Sequence, residues 1–334
     1  MKYKKTTITF IILDFLVVIF LFFTYGPISY FRNLLITTAM TTKNHHYLAR
    51  TLYSDKTISE VMKENYVEEV NENTNLDDIV FSIEETQKYE SKYEEEILDR
   101  EKDQIYKIIE ISGTGYKGFI AVIYDPSKIE LVTSKYLGKR GQFLQTIAKE
   151  NKAKIAINAG GFADAGGTGS GGFPTGAVIK DGKIVYQGLE TGWGGGIVGF
   201  TKDNKLILTK SSATEAIKQG VEDAVEFGPF LIVNGKRSIT KGNGGYGISS
   251  RTAIAQRKDG IVLFVIIDGR QPGYSIGVDM ATLTDILVRY KAYNAVNLDG
   301  GASSSLVENG DIVNKPCAVS STGERWIPTA WIVK

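Results

Sequence analysis

Histidine and cysteine are almost missing from this sequence, which has two histidines and one cysteine among 334 residues. The histidines, His45 and His46, are adjacent near the N-terminus, so the chain from Tyr47 onwards contains no imidazole. This excludes Ser-His-Asp and Cys-His hydrolases, HExxH metalloproteases and histidine-ligated metals. The single Cys317 excludes an intramolecular disulfide and a cysteine-based zinc site. Any catalysis must therefore use carboxylates, arginine, lysine, tyrosine, amides or hydroxyls.

A charge excess is also missing, because 39 Lys and Arg stand against 38 Asp and Glu, for a net charge of +1. A nucleic-acid-binding protein needs a basic stripe, so no nucleic-acid partner is expected. The length allows one large domain or two modest ones, and 43% hydrophobic residues are enough for a substantial core.

Residues 1–40 are predicted to form a membrane anchor. Residues 6–25 form an apolar run interrupted only by Asp14, long enough to cross about 30 Å of hydrocarbon. Lys2, Lys4 and Lys5 precede the run and favour a cytoplasmic N-terminus. The alternative is a cleaved signal peptide, but no small-x-small cleavage site follows. We expect a single-pass protein of the cell membrane whose remaining chain is extracytoplasmic.

Residues 41–104 are charged and poor in glycine, and they are predicted to form a helical stalk or, alternatively, a docking surface for a partner. From residue 105 to 334, glycine becomes frequent and short β-rich runs alternate with Xaa-Gly turns such as Asn234-Gly235. Helical periodicity is clear over residues 142–151 and 280–291. The expected fold class is α+β, with a mixed, largely antiparallel sheet and a few packed helices.

An internal similarity links two parts of this domain. Each predicted helix runs into a K-A-x-x-A-[IV]-N segment and then a glycine pair, once at residues 152–161 and once at residues 291–301. A loop of this kind, with Asn158, Gly160 and Gly161 in the first copy, lets backbone amides approach a ligand. Either both loops line one pocket, or the similarity reflects only a common helix-and-strand sequence pattern without a shared role.

The segment after the second copy has the densest group of candidate site residues. Asp299 leaves an apolar strand, Gly300 and Gly301 expose backbone donors, and the hydroxyls of Ser303 and Ser304 follow. This arrangement suits an anion or a sugar phosphate, and a tight structural turn is the alternative.

A second group of candidates surrounds another apolar strand. Arg251 offers the bidentate fork that phosphate geometry requires, although a surface salt bridge is an alternative role. Asp268 and Gly269 end the strand, where a carboxylate must be exposed or paired, and a simple turn is the alternative. Ser275 lies just before the second predicted helix, whose N-terminal amides suit an anion.

The glycine-rich loop of residues 163–176 is predicted to be mobile and to act as a lid, and Trp193 offers an aromatic face for a sugar or for core packing.

Five motifs resemble the phosphodiester glycosidase family, in the order in which that family has them, within residues 105–334. Bacterial members of the family are often labelled exopolysaccharide-biosynthesis proteins. The motifs are N-x-G-G-F from Asn158, G-P-x-L-[IV]-x-[ND]-G from Gly228, S-R-T-A-I from Ser250, V-I-I-D-G-R ending at Arg270, and N-L-D-G-G-A-S-S-S from Asn297.

The resemblance implies cleavage of the C1–O bond of a sugar-1-phosphodiester in a cell-surface glycopolymer. Asp299 and Asp268 would then supply the carboxylates, one as base or nucleophile, and Asn158 would bind a sugar hydroxyl. The phosphate would be held by Arg251, the amides of Gly300 and Gly301, and the hydroxyls of Ser303 and Ser304.

Two other functions stay open from the sequence. A membrane-tethered glycan-binding protein would not need the two acids to converge. A phosphodiesterase that cuts P–O usually needs metal and histidine clusters. An oxygen-ligand cation such as Ca²⁺ is the cofactor that the carboxylates would suit, although no EF-hand loop is present.

Overall fold

The computed structural model describes residues 2–42, 45–81, 89–163, 169–189 and 194–334. The chain divides into two compact units, one of Met1–Tyr66 with Lys241–Ile248 and one of Val67–Thr240 with Ser249–Lys334. The predicted lid residues 164–168 and the aromatic candidate Trp193 lie outside the described residues.

The first unit is helical. Its helices are α1 (Lys2–Tyr25), α2 (Ser29–Met40), α3 (His46–Leu52) and α4 (Asp55–Glu64). Within α1, Thr7–Tyr25 has a mean hydropathy of 2.6 and is almost entirely exposed, so it is long and apolar enough to be a membrane span or a signal sequence. Ile36, Tyr53 and Val61 are buried among α2, α3 and α4.

The loop Lys241–Ile248 belongs to this helical unit because it packs against α2 and the end of α4. Asn243 donates its side-chain amide to Thr37 Oγ1 at 2.9 Å, and its backbone amide donates to Asn65 Oδ1 at 3.1 Å.

The second unit is built from antiparallel strands. In the described residues the strands are β1 (Tyr106–Gly113), β2 (Tyr116–Ile123), β3 (Ile129–Thr133), β4 (Ile155–Asn158), β5 (Phe162–Ala163), β6 (Phe173–Pro174), β7 (Ala177–Lys180), β8 (Lys183–Gln187), β9 (Gly196–Thr201), β10 (Leu206–Thr209), β11 (Val221–Phe227), β12 (Phe230–Val233), β13 (Lys236–Arg237), β14 (Arg251–Arg257), β15 (Val262–Ile267), β16 (Ala292–Asn297), β17 (Leu306–Glu308), β18 (Asp311–Ile312) and β19 (Thr329–Val333). Four helices accompany them: α5 (Lys92–Leu98), α6 (Leu144–Glu150), α7 (Ala213–Lys218) and α8 (Met280–Arg289).

The strands form three large sheets and one small hairpin. The orders are β1-β2-β15-β14-β16-β12-β13, then β10-β9-β11-β7-β8, then β18-β17-β4-β19-β3, with β5 paired to β6. The described pairings are all antiparallel. The predicted α+β fold with a largely antiparallel sheet is confirmed.

The main core lies where the apolar faces of the three large sheets meet. Phe264 of β15, Phe200 of β9 and Trp331 of β19 are all buried in it. The rings of Phe200 and Trp331 stand edge to face at 5.5 Å, an arrangement that aromatic quadrupoles favour. The central strands β15 and β19 are buried at every position, whereas the edge strands β1 and β8 are largely exposed or half-buried.

The predicted stalk, residues 41–104, differs from the observed arrangement. Its helices α3 and α4 belong to the first unit, whereas residues 67–81 and 89–104, which include α5, belong to the second unit and do not form a separate stalk. Thr74 donates its backbone amide to Leu208 O at 3.3 Å and accepts from Leu208 N at 3.1 Å. Lys291 forms a salt bridge with Glu94 at 2.5 Å. The acidic side chains that suggested a solvated segment are partners of groups on the sheets.

Candidate active site

Asp299 lies where the two similar segments meet. The strands β4 and β16 belong to different sheets, yet their C-terminal ends converge: Asp299 N donates to Ala159 O at 3.1 Å, and Asn158 Nδ2 donates to Asp299 O at 2.6 Å. Asn158 Oδ1 accepts from Thr252 Oγ1 at 2.9 Å and from Ser305 N at 3.2 Å. The buried Asn158 amide therefore fixes the backbone on both sides of the Asp299 turn.

Hydrogen-bond donors and two guanidinium groups act on the Asp299 carboxylate, and we refer to these surroundings as the recess. The residue keeps partial contact with solvent, whereas its carboxylate is so surrounded by protein that desolvation raises its pKa. Nearby Ser303, Arg325, the Gly300 amide and Arg270 act in the opposite direction. The Ser303 hydroxyl is close enough to favour the ionised acid, although its geometry falls short of a regular hydrogen bond.

Arg270 reaches this recess from the end of β15. Its backbone is left-handed, with φ of 60°, which is unusual for a residue with a long side chain. Arg270 Nε donates to Ser249 Oγ at 3.1 Å. Its guanidinium lies against Gly301, where an added Cβ would approach Arg270 Nη2 to 2.8 Å. Gly301 has φ of 62°, so its backbone conformation favours glycine, and a side chain there would displace the Arg270 guanidinium.

Arg325 supplies the second guanidinium. Its Cζ lies 4.4 Å from the centroid of the Phe162 ring, a cation–π contact. Phe162 is on β5, at the start of the hairpin formed with β6. Asp299 follows β16, Arg270 follows β15 and Arg325 precedes β19. One acid and two arginines from distant parts of the sequence therefore make up the recess.

Asp268, the second carboxylate predicted for the site, accepts hydrogen bonds from groups outside the Asp299 turn. Its residue is 1% exposed, and its carboxylate accepts from Asn314 Nδ2 at 2.8 Å, from Lys315 N at 3.1 and 3.2 Å, and from Tyr274 OH at 3.0 Å. Burial raises its pKa, and these donors partly counteract that effect. Asp268 is a structural anchor for the 314–315 turn because its oxygens are already satisfied.

Arg251 is also placed differently from the prediction. It begins β14, is 6% exposed, and donates from Nε to Val278 O at 3.1 Å. The buried guanidinium supports the backbone before α8. Arg270 and Arg325 are the arginines whose positive charge acts on the Asp299 carboxylate.

Most other predicted binding groups are occupied within the protein. Ser275 Oγ donates to Asp268 O at 2.6 Å, and Ser304 Oγ bonds to Thr252 Oγ1 at 3.2 Å. Gly301 N donates to Ser250 O at 2.9 Å, so this amide does not face a ligand. Gly269 serves a close backbone approach, since a Cβ there would lie 2.3 Å from Ser250 N.

Four of the predicted residues stay near the recess. Gly300 contributes its amide to Asp299, and Ser303 lies beside the carboxylate. Gly160 donates its amide to Thr329 Oγ1 at 3.1 Å, and Gly161 packs so closely on Phe227 that a Cβ would approach the ring to 2.5 Å. These two glycines shape the turn that leads to Phe162.

Sequence reasoning missed both arginines of the site. Arg270 ends the V-I-I-D-G-R motif, in which Asp268 was selected as the candidate residue instead. Arg325 lies in a segment without a motif, and only the fold brings it to Asp299. The predicted cation stays a prediction without a ligand set, because the described residues hold no group of three or more potential metal-ligating His, Cys, Asp or Glu.

Comparison with known proteins places this chain in a family. The sequence pattern of phosphodiester glycosidases matches residues 151–334, more than half of the chain. A Bacillus subtilis protein, the SPbeta prophage-derived uncharacterized protein YomE, is 27% identical over 199 residues, which cover 57% of this chain and 30% of that protein. The bovine N-acetylglucosamine-1-phosphodiester alpha-N-acetylglucosaminidase is 25% identical over 121 residues, covering 36% of this chain and 20% of the bovine protein. The chain thus spans less than a third of the length of these curated relatives.

A solved structure shares the fold. The zebrafish N-acetylglucosamine-1-phosphodiester alpha-N-acetylglucosaminidase catalytic domain, auto-inhibited by its pro-peptide, aligns with a TM-score of 0.57 at 23% identity, covering 70% of this chain and 85% of that chain. The range matched by the family pattern includes Arg270, Asp299 and Arg325. The chain belongs to the phosphodiester glycosidase family.

Proposed function

We propose that this protein hydrolyses the C1–O bond of a sugar-1-phosphodiester, with Asp299 as the carboxylate that acts at the sugar carbon. The observation that carries the proposal is that the positive charges of Arg270 and Arg325 both act on the Asp299 carboxylate. A phosphodiester substrate presents a phosphate next to the reacting carbon, and this recess offers positive charge next to a carboxylate.

The chemistry follows from the two halves of that substrate. A phosphate monoester is a good leaving group, so a strong general acid is less necessary than in ordinary glycosidases. Arg270 and Arg325 neutralise the phosphate as the C1–O bond breaks, which is where negative charge develops. Asp299 takes a proton from the water that attacks C1, and its raised pKa makes it a better base than an ordinary aspartate.

The surrounding residues position the base. Asn158 holds the Asp299 carbonyl, and the Gly300 amide and Ser303 favour the ionised carboxylate. These contacts restrict the acid to one direction, and a well-oriented group lowers the barrier more than a mobile one.

The proposed setting is the outer face of the cytoplasmic membrane, with a cell-surface polysaccharide or wall polymer as substrate. The apolar Thr7–Tyr25 segment supports anchoring, and the lysines before it favour a cytoplasmic N-terminus. Membrane fractionation of cells that express the full chain tests this part, with recovery in the soluble extracellular fraction as the contrary result.

Product analysis in ¹⁸O-labelled water tests the reaction. The full chain in detergent is incubated with the methyl diester of N-acetylglucosamine-1-phosphate, and the products are examined by mass spectrometry. The expected products are free sugar that carries ¹⁸O and unlabelled methyl phosphate. Label in the phosphate would show P–O cleavage and contradict the proposal, whereas binding without turnover would support the tethered glycan-binding alternative.

A further inference from the structure

A second recess lies on the other side of the segment that carries Arg325. Its volume is about 190 Å³. It is lined by Lys135, Tyr136, Arg140, Gly141, Gln142, Phe143, Thr146 and Trp326. None of these residues takes part in the proposed chemistry. We name this recess the Trp326 cleft.

The Trp326 cleft combines aromatic faces with a cation. Trp326 is 37% exposed, and its ring lies 6.1 Å from that of Phe143. The Arg140 guanidinium lies 4.1 Å from the Tyr136 ring centroid and 5.7 Å from that of Trp326. A half-exposed tryptophan with this surrounding is typical of a surface that binds an amphipathic ring.

The charge of the cleft is positive and is carried by Arg140. Lys135 is paired with Glu150 at 2.5 Å, and Gln142 Nε2 donates to the same carboxylate at 2.9 Å. In the part of the chain that the structure describes, no carboxylate lies within salt-bridge distance of Arg140. Its N–H groups can therefore donate to an incoming anion, and the guanidinium fork matches phosphate geometry.

Two structural links connect the cleft with the active-site recess. Arg325 and Trp326 are neighbours in a non-helical segment, and the first lies over Phe162 while the second faces Phe143. In addition, Gly141 N donates to Ser170 O at 2.7 Å and Gly138 N donates to Gly172 O at 2.7 Å. The 170–172 segment leads into β6, which pairs with the strand that carries Phe162.

We propose that the Trp326 cleft binds a neighbouring phosphate-bearing sugar unit of a polymeric substrate, with the sugar ring on Trp326 and the phosphate on Arg140. The inference rests on the proposed function and deepens it, because it makes the substrate a chain of sugar-1-phosphodiester units. A polymer held at two adjoining recesses gains affinity from the second contact without any change at the reacting bond.

The test compares a short and a long probe on the full chain. The short probe is the methyl diester of N-acetylglucosamine-1-phosphate, and the long probe is an oligomer of sugar units joined by sugar-1-phosphodiester bonds. Trp326→Ala and Arg140→Ala are each expected to raise KM for the long probe about tenfold and to leave kcat/KM for the short probe within about twofold.

Two further variants serve as controls. Lys139→Ala removes an exposed positive charge next to Arg140 without lining the cleft, so it is expected to leave both probes unaffected. Trp326→Tyr keeps an aromatic ring and is expected to retain most of the affinity for the long probe. Equal losses on both probes, no loss on the long probe, or an equal loss in Lys139→Ala would each overturn the inference.

A binding titration separates this inference from the proposed reaction. The long probe is titrated into the Asp299→Asn chain, with and without Trp326→Ala, so that no turnover is needed. About tenfold weaker binding in the double variant supports the proposed role of the cleft. This holds even if the wild type hydrolyses neither probe, a result that would contradict only the proposed reaction. Turnover of both probes with unchanged binding would overturn the cleft and leave the reaction standing. Equal affinity for an unphosphorylated oligosaccharide of the same length would contradict the role of Arg140.

Discussion

Asp268 and Asp299 look alike in the sequence, since each follows an apolar strand and precedes a glycine, yet the fold uses them in opposite ways. Asp268 is closed off by Asn314, Lys315 and Tyr274, which satisfy both of its oxygens. The ionised Asp299 carboxylate is favoured by Gly300 and Ser303 of its own turn and by the charges of two guanidinium groups. Contacts from distant loops therefore decide whether a carboxylate at the end of a strand has a structural or a catalytic role.

The arginines show the same division. Arg251 is buried at the start of β14 and donates to the backbone carbonyl of Val278. Arg270 stands at a left-handed turn with its guanidinium against Gly301. A strained backbone conformation for a non-glycine residue is common at functional sites, where the rest of the fold compensates for it.

Replacing the acid at the site should have the largest effect. Asp299→Asn keeps the size of the side chain but removes the base, so kcat/KM on a sugar-1-phosphodiester is expected to fall about 10³-fold, within the range for a lost general base. The melting temperature should stay the same or rise, because a poorly hydrated charge is removed. Steady-state kinetics with calorimetry on the same sample checks both parts, and a fall of less than tenfold would contradict the assignment.

Removing the structural acid should affect stability. Asp268→Ala leaves the Asn314, Lys315 and Tyr274 donors without their acceptor, and the free energy of unfolding is expected to fall by about 3 kcal/mol. Denaturant unfolding measures this change, with the exposed Asp311→Ala as the control. A change below about 1 kcal/mol would mean that water or other groups replace the lost acceptor.

Substitutions of Arg270 and Arg251 should likewise have different effects, the first on KM and the second on stability. Arg270→Gln is expected to raise KM about tenfold, since one of the two phosphate contacts is lost. Arg251→Gln should leave KM unchanged and lower the free energy of unfolding by about 1–2 kcal/mol. If only Arg251→Gln raised KM, Arg251 would be the phosphate-binding residue, as the sequence suggested.

The smallest expected effect is on pH dependence. Because desolvation raises the pKa of Asp299 above its ordinary 3.8, kcat/KM should begin to fall with acidification at a higher pH than for an exposed aspartate. The folded state also binds the Asp268 proton more tightly than the unfolded state does. Its contribution to stability is therefore present below pH 3.8 and is lost as the pH rises through the folded pKa. Stability curves of the wild type and Asp268→Asn across this interval measure that slope.

Local signals in the sequence were sufficient for much of the fold. The helix predicted over residues 280–291 is observed as α8, and its N-cap Asp279 accepts from Thr282 N at 2.8 Å. The turn at Asn234-Gly235 joins β12 to β13 as expected from its positive-φ residues. These elements follow from periodicity and turn chemistry within a few residues.

The remaining features depend on contacts between distant residues. The acidic residues before 105 read as solvated, because their partners, such as Lys291 for Glu94, lie about two hundred positions later in the chain. The convergence of Asn158 with Asp299 was visible as a similarity between segments, whereas the approach of Arg325 had no local signal. The Asp299 turn could be selected as a candidate from the sequence, but the arginines that act on it could not.

The difference between the two aspartates is tested most directly by measuring Asp299→Asn and Asp268→Asn side by side, with kcat/KM on one sugar-1-phosphodiester expressed per folded molecule. We predict that the position-299 variant loses about three orders of magnitude and the position-268 variant stays within about threefold of the wild type. Full activity at 299 together with a comparable loss at 268 would contradict the placement of the chemistry.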